Sequence, residues 1–447
     1  MKHFTNFESR NAPTPLRFFV VALLMAAAAI TVGSHTSLAQ DAPAESSGPA
    51  TAAQFARWQK QIKQALFIPD PLPRLDTKTY GTFSPAPGVM AERVTYQTSY
   101  GLRLPAIVYR PAESKARVPG MVIVNGHSGD KTSWYAFYSG ILYARAGAVV
   151  VTYDPIGEDE RNSDRKSETN IHDTVVPGDQ MPARMGGQMI TDILQAVSYL
   201  AGRSDVDPQR IAVAAYSMGS FHAAIAGAIE PRIHALLLSG GGNLSGPGDY
   251  WAISPKVMCQ SGPSKALDFL RDRGGILYAL NQRRGPTLIM NGDQDRVVVS
   301  VHSDEAFFAK LSDRAAAFSG TRDGIFETYW FPGAGHRPNF VTRTAALWLE
   351  QQLHFPDWTE AEIASFGEVR ISDWAAATGA HIGQNFQNEL SEGGMRALTT
   401  NIPNVPREQL QAVPDGEWQQ HKDDFTWESW VARASAASAQ SGAASPR

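Results

Sequence analysis

The chain has one cysteine in 447 residues, Cys259, so no intramolecular disulfide is possible and stability has to come from a packed core. Net charge is also scarce: 40 Lys and Arg stand against 44 Asp and Glu, and a formal charge of -4 offers no basic surface for a nucleic acid. Internal repeats are absent, which excludes solenoids and propellers built from this sequence. Beyond the first 32 residues no apolar run approaches the roughly 20 residues that a bilayer span needs. What is present, 43% hydrophobic and 19% charged residues, is the composition of an ordinary globular protein.

The N-terminus has the pattern of a secretory signal. Arg10 and Arg17 precede an apolar run from Phe18 to Val32, and Ser37-Leu38-Ala39 supplies small residues before a cut, so the mature chain is expected to begin near Gln40. An uncleaved anchor is the alternative. Residues 1–39 carry Lys2, Arg10 and Arg17 against Glu8, so cleavage takes the formal charge from -4 to -6. Export, periplasmic or extracellular, with no membrane contact after cleavage is the expectation.

A flexible leader rich in Ala, Ser, Gly and Pro (40–53) is followed by an amphipathic stretch from Gln54 to Phe67 that predicts a helix, and Pro residues at 69–73 end it. Residues 90–98 and 102–110 alternate around Ser99-Tyr100-Gly101, the pattern of an antiparallel hairpin at a sheet edge. Short apolar runs then recur: Gly120 to Val124, Ala148 to Tyr153, Ile211 to Ala215, Ala235 to Leu238, Thr287 to Met290 and Phe326 to Phe331. Strands this apolar are buried on both faces. The intervening segments Trp134 to Arg145, Met181 to Ala201, Ser220 to Ala228, His302 to Leu311 and Phe340 to Leu353 show helical spacing. The pattern predicts an α/β fold, a mostly parallel, doubly wound sheet with its chemistry beyond the strand C-termini.

The domain layout that follows is a leader and helix over 40–87, a main domain over 88–355 with a cap at about 240–284, and a C-terminal extension over 356–433. Trp358, Trp374, Trp418, Trp427 and Trp430 are expected to pack that extension on the core, with a separate carbohydrate-binding unit as the alternative. An Ala- and Ser-rich tail, 434–447, is expected to be disordered.

Ile211 to Ser220 runs as a strand into a helix through Ser217, with Ala215 and Gly219 two residues to either side. A nucleophile elbow requires small residues there, because the turn is tight and crowds its neighbours. A serine hydroxyl also needs a base within reach and an acid to orient that base. Both follow: Thr287 to Gly292 leads into Asp293-Gln-Asp295, and Thr328 to Phe331 leads into Pro332-Gly-Ala-Gly-His336. His336 is the predicted base. Asp295 is the favoured acid, with Asp293 as the rival and helix capping as the alternative for either. The oxyanion formed on attack needs fixed donors, for which the backbone NH groups of Met218 and His127 are the candidates. The His127 imidazole is expected to form a wall or to pack, with substrate contact as the alternative.

Other polar residues have plainer readings. The charged loop 154–176, with Glu158, Asp159, Glu160, Arg161, Asp164 and Arg165, follows a strand C-terminal end and reads as a solvated segment pairing with itself, with a place at the pocket rim as the alternative; no regular ligand spacing predicts a metal there. His172, His222 and His302 read as structural, and Cys259 as a small buried side chain.

With these motifs in place the chain resembles the α/β-hydrolase superfamily, and within it the acetyl xylan esterase and dienelactone-hydrolase-like branches. The resemblance covers about residues 88 to 355 and rests on five segments: Asn125 to Gly129, Tyr153 to Gly157, Ala215 to Gly219, Gly292 to Asp295, and Gly335-His336. Asn125, where a His-Gly pair is common, and Ala215, where glycine is usual, depart from the pattern. The resemblance implies ester hydrolysis through an acyl-enzyme with no metal or organic cofactor, on a small-molecule or carbohydrate ester. A prolyl-oligopeptidase-like peptidase shares the same motifs, though residues 40 to 89 are too few for that family's propeller; a catalytically inactive binding protein on this fold is the remaining alternative.

Overall fold

The sheet is built from the apolar runs singled out above. In the computed structural model, which describes residues 48–113, 116–246, 248–297, 303–382 and 394–443, nine strands form one sheet. They are β1 (Lys78–Ala86), β2 (Val89–Gln97), β3 (Arg103–Pro111), β4 (Val118–Val124), β5 (Val149–Tyr153), β6 (Val206–Tyr216), β7 (Ile233–Ser239), β8 (Thr287–Gly292) and β9 (Glu327–Phe331). Their order is β1-β2-β3-β5-β4-β6-β7-β8-β9. β1 to β3 and the β3–β5 pair are antiparallel; from β5 to β9 every pairing is parallel. Contacts divide the chain into Met1–Glu45 and Ser46–Arg447, and every described residue belongs to the second unit. The segment read as a signal, 1–39, lies outside the described residues.

Alternate side chains of the central strands feed two cores. Val122, Val124, Val213 and Ala215 face one, together with α1 (Ala52–Ala65), α3 (Met181–Ala201), α4 (Met218–Ile229), α7 (Arg273–Arg284) and α8 (Glu305–Ser319). Met121, Ile123, Ala212 and Ala214 face the other, with α2 (Trp134–Arg145) and α9 (Arg343–Leu353). No helix among the described residues is long and apolar enough to cross a membrane.

The structure departs from the sequence expectations in four places. The edge hairpin is a three-stranded ribbon, because β1 adds to it with mostly exposed side chains and so lacks an apolar signature. The stretch assigned to a cap ends earlier: α5 (Tyr250–Ile253), a π-helical turn Val257–Ser261 and α6 (Gly262–Ala266) form the insertion, whereas α7 packs beside α4 and α8 and puts Ile276, Leu277 and Leu280 into the main core. The loop read as solvated buries Glu158, Asp159, Glu160 and Arg161 completely. The tail read as disordered from 434 is helical to Ala443, with Ala434 buried. Alanine is the best helix former, so a composition that looks like low complexity extends a helix already seated by Trp427 and Trp430.

After α9 the chain adds α10 (Glu360–Ser365), α11 (Ile371–Thr378), the small sheet β10 (Gly367–Arg370) and β11 (Arg396–Thr399), then α12 (Arg407–Leu410), α13 (Asp415–His421) and α14 (Trp427–Ala443). The five tryptophans of this region are all buried. Trp374 stacks edge-on against Tyr138 of α2 at 5.2 Å, and its indole NH donates to the Ile402 carbonyl at 2.8 Å.

Candidate active site

Ser217 stands at the junction of β6 and α4 with φ 54 and ψ -120, a left-handed conformation that costs a non-glycine residue on the order of 1–3 kcal/mol. The turn holds because its NH donates to the Ser239 carbonyl of β7 at 2.8 Å. Gly219 is required by space: a Cβ there would lie 2.5 Å from the Asn125 carbonyl oxygen and 2.9 Å from that of Val124. Gly126 is required for the same reason, since its Cβ would meet the Tyr216 ring at 2.8 Å and the Ser217 Cβ at 3.0 Å. The loop after β4 and the elbow after β6 are therefore in direct contact.

The turns after β8 and β9 bring the other two side chains in. His336 Nε2 lies 2.8 Å from Ser217 Oγ, and His336 Nδ1 lies 2.7 Å from Asp295 Oδ2. The second oxygen of Asp295 accepts the Val297 NH at 2.9 Å, so the carboxylate is held from both sides. This network puts the proton on Nδ1 and leaves Nε2 to accept from the serine hydroxyl. Asp293 is not in the site; it is exposed and accepts the Gly333 NH at 2.7 Å. Tyr216 packs on the His336 ring at 4.9 Å, tilted by 37°, and donates its hydroxyl proton to the His336 carbonyl, 3.2 Å away.

The NH of Met218 opens α4, where the first amides of a helix have no intrahelical acceptor, and His127 follows Gly126 on the facing loop. Among the described residues neither NH has a protein acceptor. The His127 side chain is packed among its neighbours: Nε2 is 3.2 Å from Asp173 Oδ1 and 3.2 Å from Cys259 Sγ, and Nδ1 is 3.2 Å from the Gln260 amide. Burial lowers the His127 pKa, with Asp173 opposing, and raises that of Cys259; burial also pushes His172 down to about 3. His222 is likewise buried and pushed down to about 3, while His302 lies outside the described residues.

Among the described residues, two groups of side chains have the donors for a metal: His127, His172, Asp173 and Cys259, and the carboxylates Asp154, Asp159 and Glu160. The second group already holds a cation. Lys131 Nζ lies 2.6, 2.5 and 2.8 Å from those three carboxylates, with all four side chains fully buried. A cavity of about 660 Å³ opens at the loop after β4, bounded by His127–Gly129, by Trp134 and Phe137 of α2, by Arg165–Glu168 of the charged loop and by Asn404–Arg407 of the extension; Ser217, Met218 and His336 are not among its lining residues. Sequence reasoning missed both this contribution of the extension and the buried lysine cage, since each depends on contacts between distant segments.

Two family models match the chain, each over less than half of it. Acetyl xylan esterase (AXE1) covers residues 56–239, which include His127 and Ser217, and the prolyl oligopeptidase family covers residues 178–361, which include Ser217, Asp295 and His336. Among curated proteins none matches by sequence. Among solved structures, methylesterase BT1017 is 17% identical, with 85% of this chain and 73% of that one covered at a TM-score of 0.54. An acetyl xylan esterase from Paenibacillus sp. R4 is 16% identical over 68% of this chain and 96% of its own, at 0.46. A CE15 glucuronoyl esterase from Teredinibacter turnerae T7901 is 18% identical over 68% and 86%, at 0.47. The chain thus has the α/β-hydrolase fold and is similar to acetyl xylan esterases in the part that carries the first strands and the serine elbow.

Proposed function

We propose that the chain is an exported serine hydrolase that cleaves carboxylic esters, acetyl or other carbohydrate esters among them, through an acyl-enzyme. One observation carries the reading: Ser217, His336 and Asp295 form a continuous hydrogen-bonded line at the C-terminal edge of the parallel strands. Ser217 attacks the ester carbonyl while His336 takes its proton, Asp295 orients the imidazole, and the NH groups of Met218 and His127 bind the oxyanion. His336 then protonates the departing alcohol, and water activated by the same base releases the acid. Export is proposed from Arg10, Arg17 and the apolar run that follows.

The prolyl oligopeptidase match keeps a peptidase as the second reading, because it spans all three side chains. Labelling with a fluorophosphonate, followed by turnover of p-nitrophenyl acetate, acetylated xylan and dipeptide amides, separates the possibilities. Labelling that disappears in Ser217→Ala, with ester but not amide turnover, is the expected result. Amide turnover favours the peptidase, and no labelling of the folded protein overturns both.

A further inference from the structure

Next to the serine elbow, four side chains from three segments converge; their mutual hydrogen bonds and the Lys256 ion pair account for His127, Asp173 and Cys259, but not for His172. His127 comes from the loop after β4, His172 and Asp173 from the turn Ile171–Asp173, and Cys259 from the π-helical turn of the insertion. Their donor atoms all lie within 4.8 Å of one another. The separations are 2.9 Å for Cys259 Sγ to Asp173 Oδ1, 3.2 Å for Sγ to His127 Nε2, 3.2 Å for His127 Nε2 to Asp173 Oδ1, and 3.8 Å for His172 Nε2 to Asp173 Oδ1. A tetrahedron with bonds of about 2.0–2.3 Å has edges of about 3.3–3.8 Å, so the 3.8 Å separation matches and the three of 2.9–3.2 Å have to open by up to about 1 Å to admit an ion of that size.

The independent observation is His172. It is fully buried, and neither ring nitrogen has a hydrogen-bond partner among the described residues. An imidazole withdrawn from water with both nitrogens unused is costly, whereas one nitrogen on a metal and the other facing a carboxylate satisfies it. Its Nδ1 faces Glu158 Oε1 at 3.8 Å while Nε2 points to the cluster. The outer contacts of the other ligands also fit. His127 Nδ1 meets the side-chain amide of Gln260, whose oxygen and nitrogen can exchange places, and Lys256 holds the outer oxygen of Asp173 at 2.6 Å, leaving Oδ1 free to bind.

We infer that His127, His172, Asp173 and Cys259 bind one borderline-soft divalent metal ion, Zn²⁺ by their donor set, in a closed four-coordinate site. On binding, the thiol proton of Cys259 leaves to solvent and the His127 proton resides on Nδ1. The thiolate and the carboxylate together balance the charge of the dication. With four protein ligands no position is open to water or substrate, so the ion is a structural tie. It fastens the loop that carries the His127 NH to the insertion between β7 and β8. The inference goes beyond ester hydrolysis and does not depend on it.

The experiment measures metal in the full-length purified protein by elemental mass spectrometry after gel filtration in chelator-treated buffer, then titrates the chelator-stripped protein with Co²⁺. About one zinc per chain is expected, with a thiolate-to-cobalt absorption band that Zn²⁺ abolishes. Cys259→Ser and His172→Gln should each weaken Co²⁺ binding by at least about tenfold, and the thiolate band should vanish in Cys259→Ser. Cooperative thermal unfolding of each variant shows that it is folded. A wild-type protein that retains no metal and binds Co²⁺ no better than Cys259→Ser overturns the inference. If that protein still reacts with the fluorophosphonate, the metal site falls while the serine hydrolase stands.

Discussion

Gly240 terminates β7 with φ +60, and an added Cβ there would stand 2.9 Å from His336 Cε1 and 3.0 Å from Nδ1. Non-bonded carbon contacts settle at about 3.5–4.0 Å, so Gly240→Ala forces the imidazole back by about 0.5–1 Å. The ring has no slack to absorb this, because it is held at 2.8 Å from Ser217 and 2.7 Å from Asp295, both ordinary hydrogen-bond lengths. At least one of those bonds must then stretch past the useful range. A misplacement of about 1 Å at the reacting groups costs on the order of 100-fold, so kcat for p-nitrophenyl acetate should fall by that factor. KM should change little, since the imidazole does not bind the ground state. A left-handed alanine also destabilises the fold by about 1–2 kcal/mol, and Gly88→Ala serves as the control for that effect. Gly88 has φ +78 with no atom within 4 Å of its would-be Cβ, so it carries a backbone penalty without touching the site. The reasoning is refuted if Gly240→Ala keeps the wild-type kcat, or if Gly88→Ala loses as much of it.

Asp295→Asn should reduce kcat by about 10⁴-fold by reversing the tautomer of His336, while Asp293→Asn leaves it nearly unchanged; the opposite ranking in steady-state kinetics would reassign the acid. Lys131→Met leaves Asp154, Asp159 and Glu160 buried without their cation, and urea unfolding should register a loss of about 3–5 kcal/mol, against which a loss under 1 kcal/mol would speak. Burial alone raises the pKa of Glu92, but the paired Arg203 and Arg110 outweigh it and hold the carboxyl below its ordinary value. Its contribution to stability is therefore present at neutral pH and lost as the pH falls through the carboxylate range, so Glu92→Gln should flatten the acid limb of the unfolding midpoint measured against pH.

What could be read beforehand follows from how local each signal is. Strands β4 to β8 were legible because residues such as Val122, Val151, Val213 and Leu237 are buried on both faces, leaving apolar runs with few interruptions. Ser217, Asp295 and His336 each sit just past a strand end, and Gly219 announces the elbow because no other side chain fits against Asn125 and Val124. The charged loop was misread for the opposite reason. Glu158-Asp-Glu-Arg161 looks the same in sequence whether water or protein neutralises it, and its partners come from far away: Lys131, Asp192, Arg407 and the Ala412 and Val413 amides. The cluster of His127, His172, Asp173 and Cys259 was invisible for the same reason, since its parts lie up to 132 positions apart with no repeating interval.

Those distant partners also explain why the C-terminal extension belongs to the site and is not an appendage. Glu160 accepts the Ala412 NH at 2.7 Å and the Val413 NH at 2.8 Å, its carbonyl takes the Trp418 indole NH at 3.0 Å, and Arg407 pairs with Asp159. Asp159 and Glu160 in turn hold Lys131, two residues past the Gly126–Gly129 turn that abuts Ser217. Asp159, Glu160 and Lys131 and the Ala412 and Val413 amides are buried, and such groups are expensive to leave unpaired; Arg407 reaches Asp159 from a partly exposed position. The extension, the acidic loop and the loop bearing His127 therefore have one joint arrangement of low energy. Loosening the extension at Arg407 or Trp418 reaches the segment that follows the loop against Ser217 through two consecutive contacts, the second of them the buried Lys131 pairs, with no need for a shift of the central sheet.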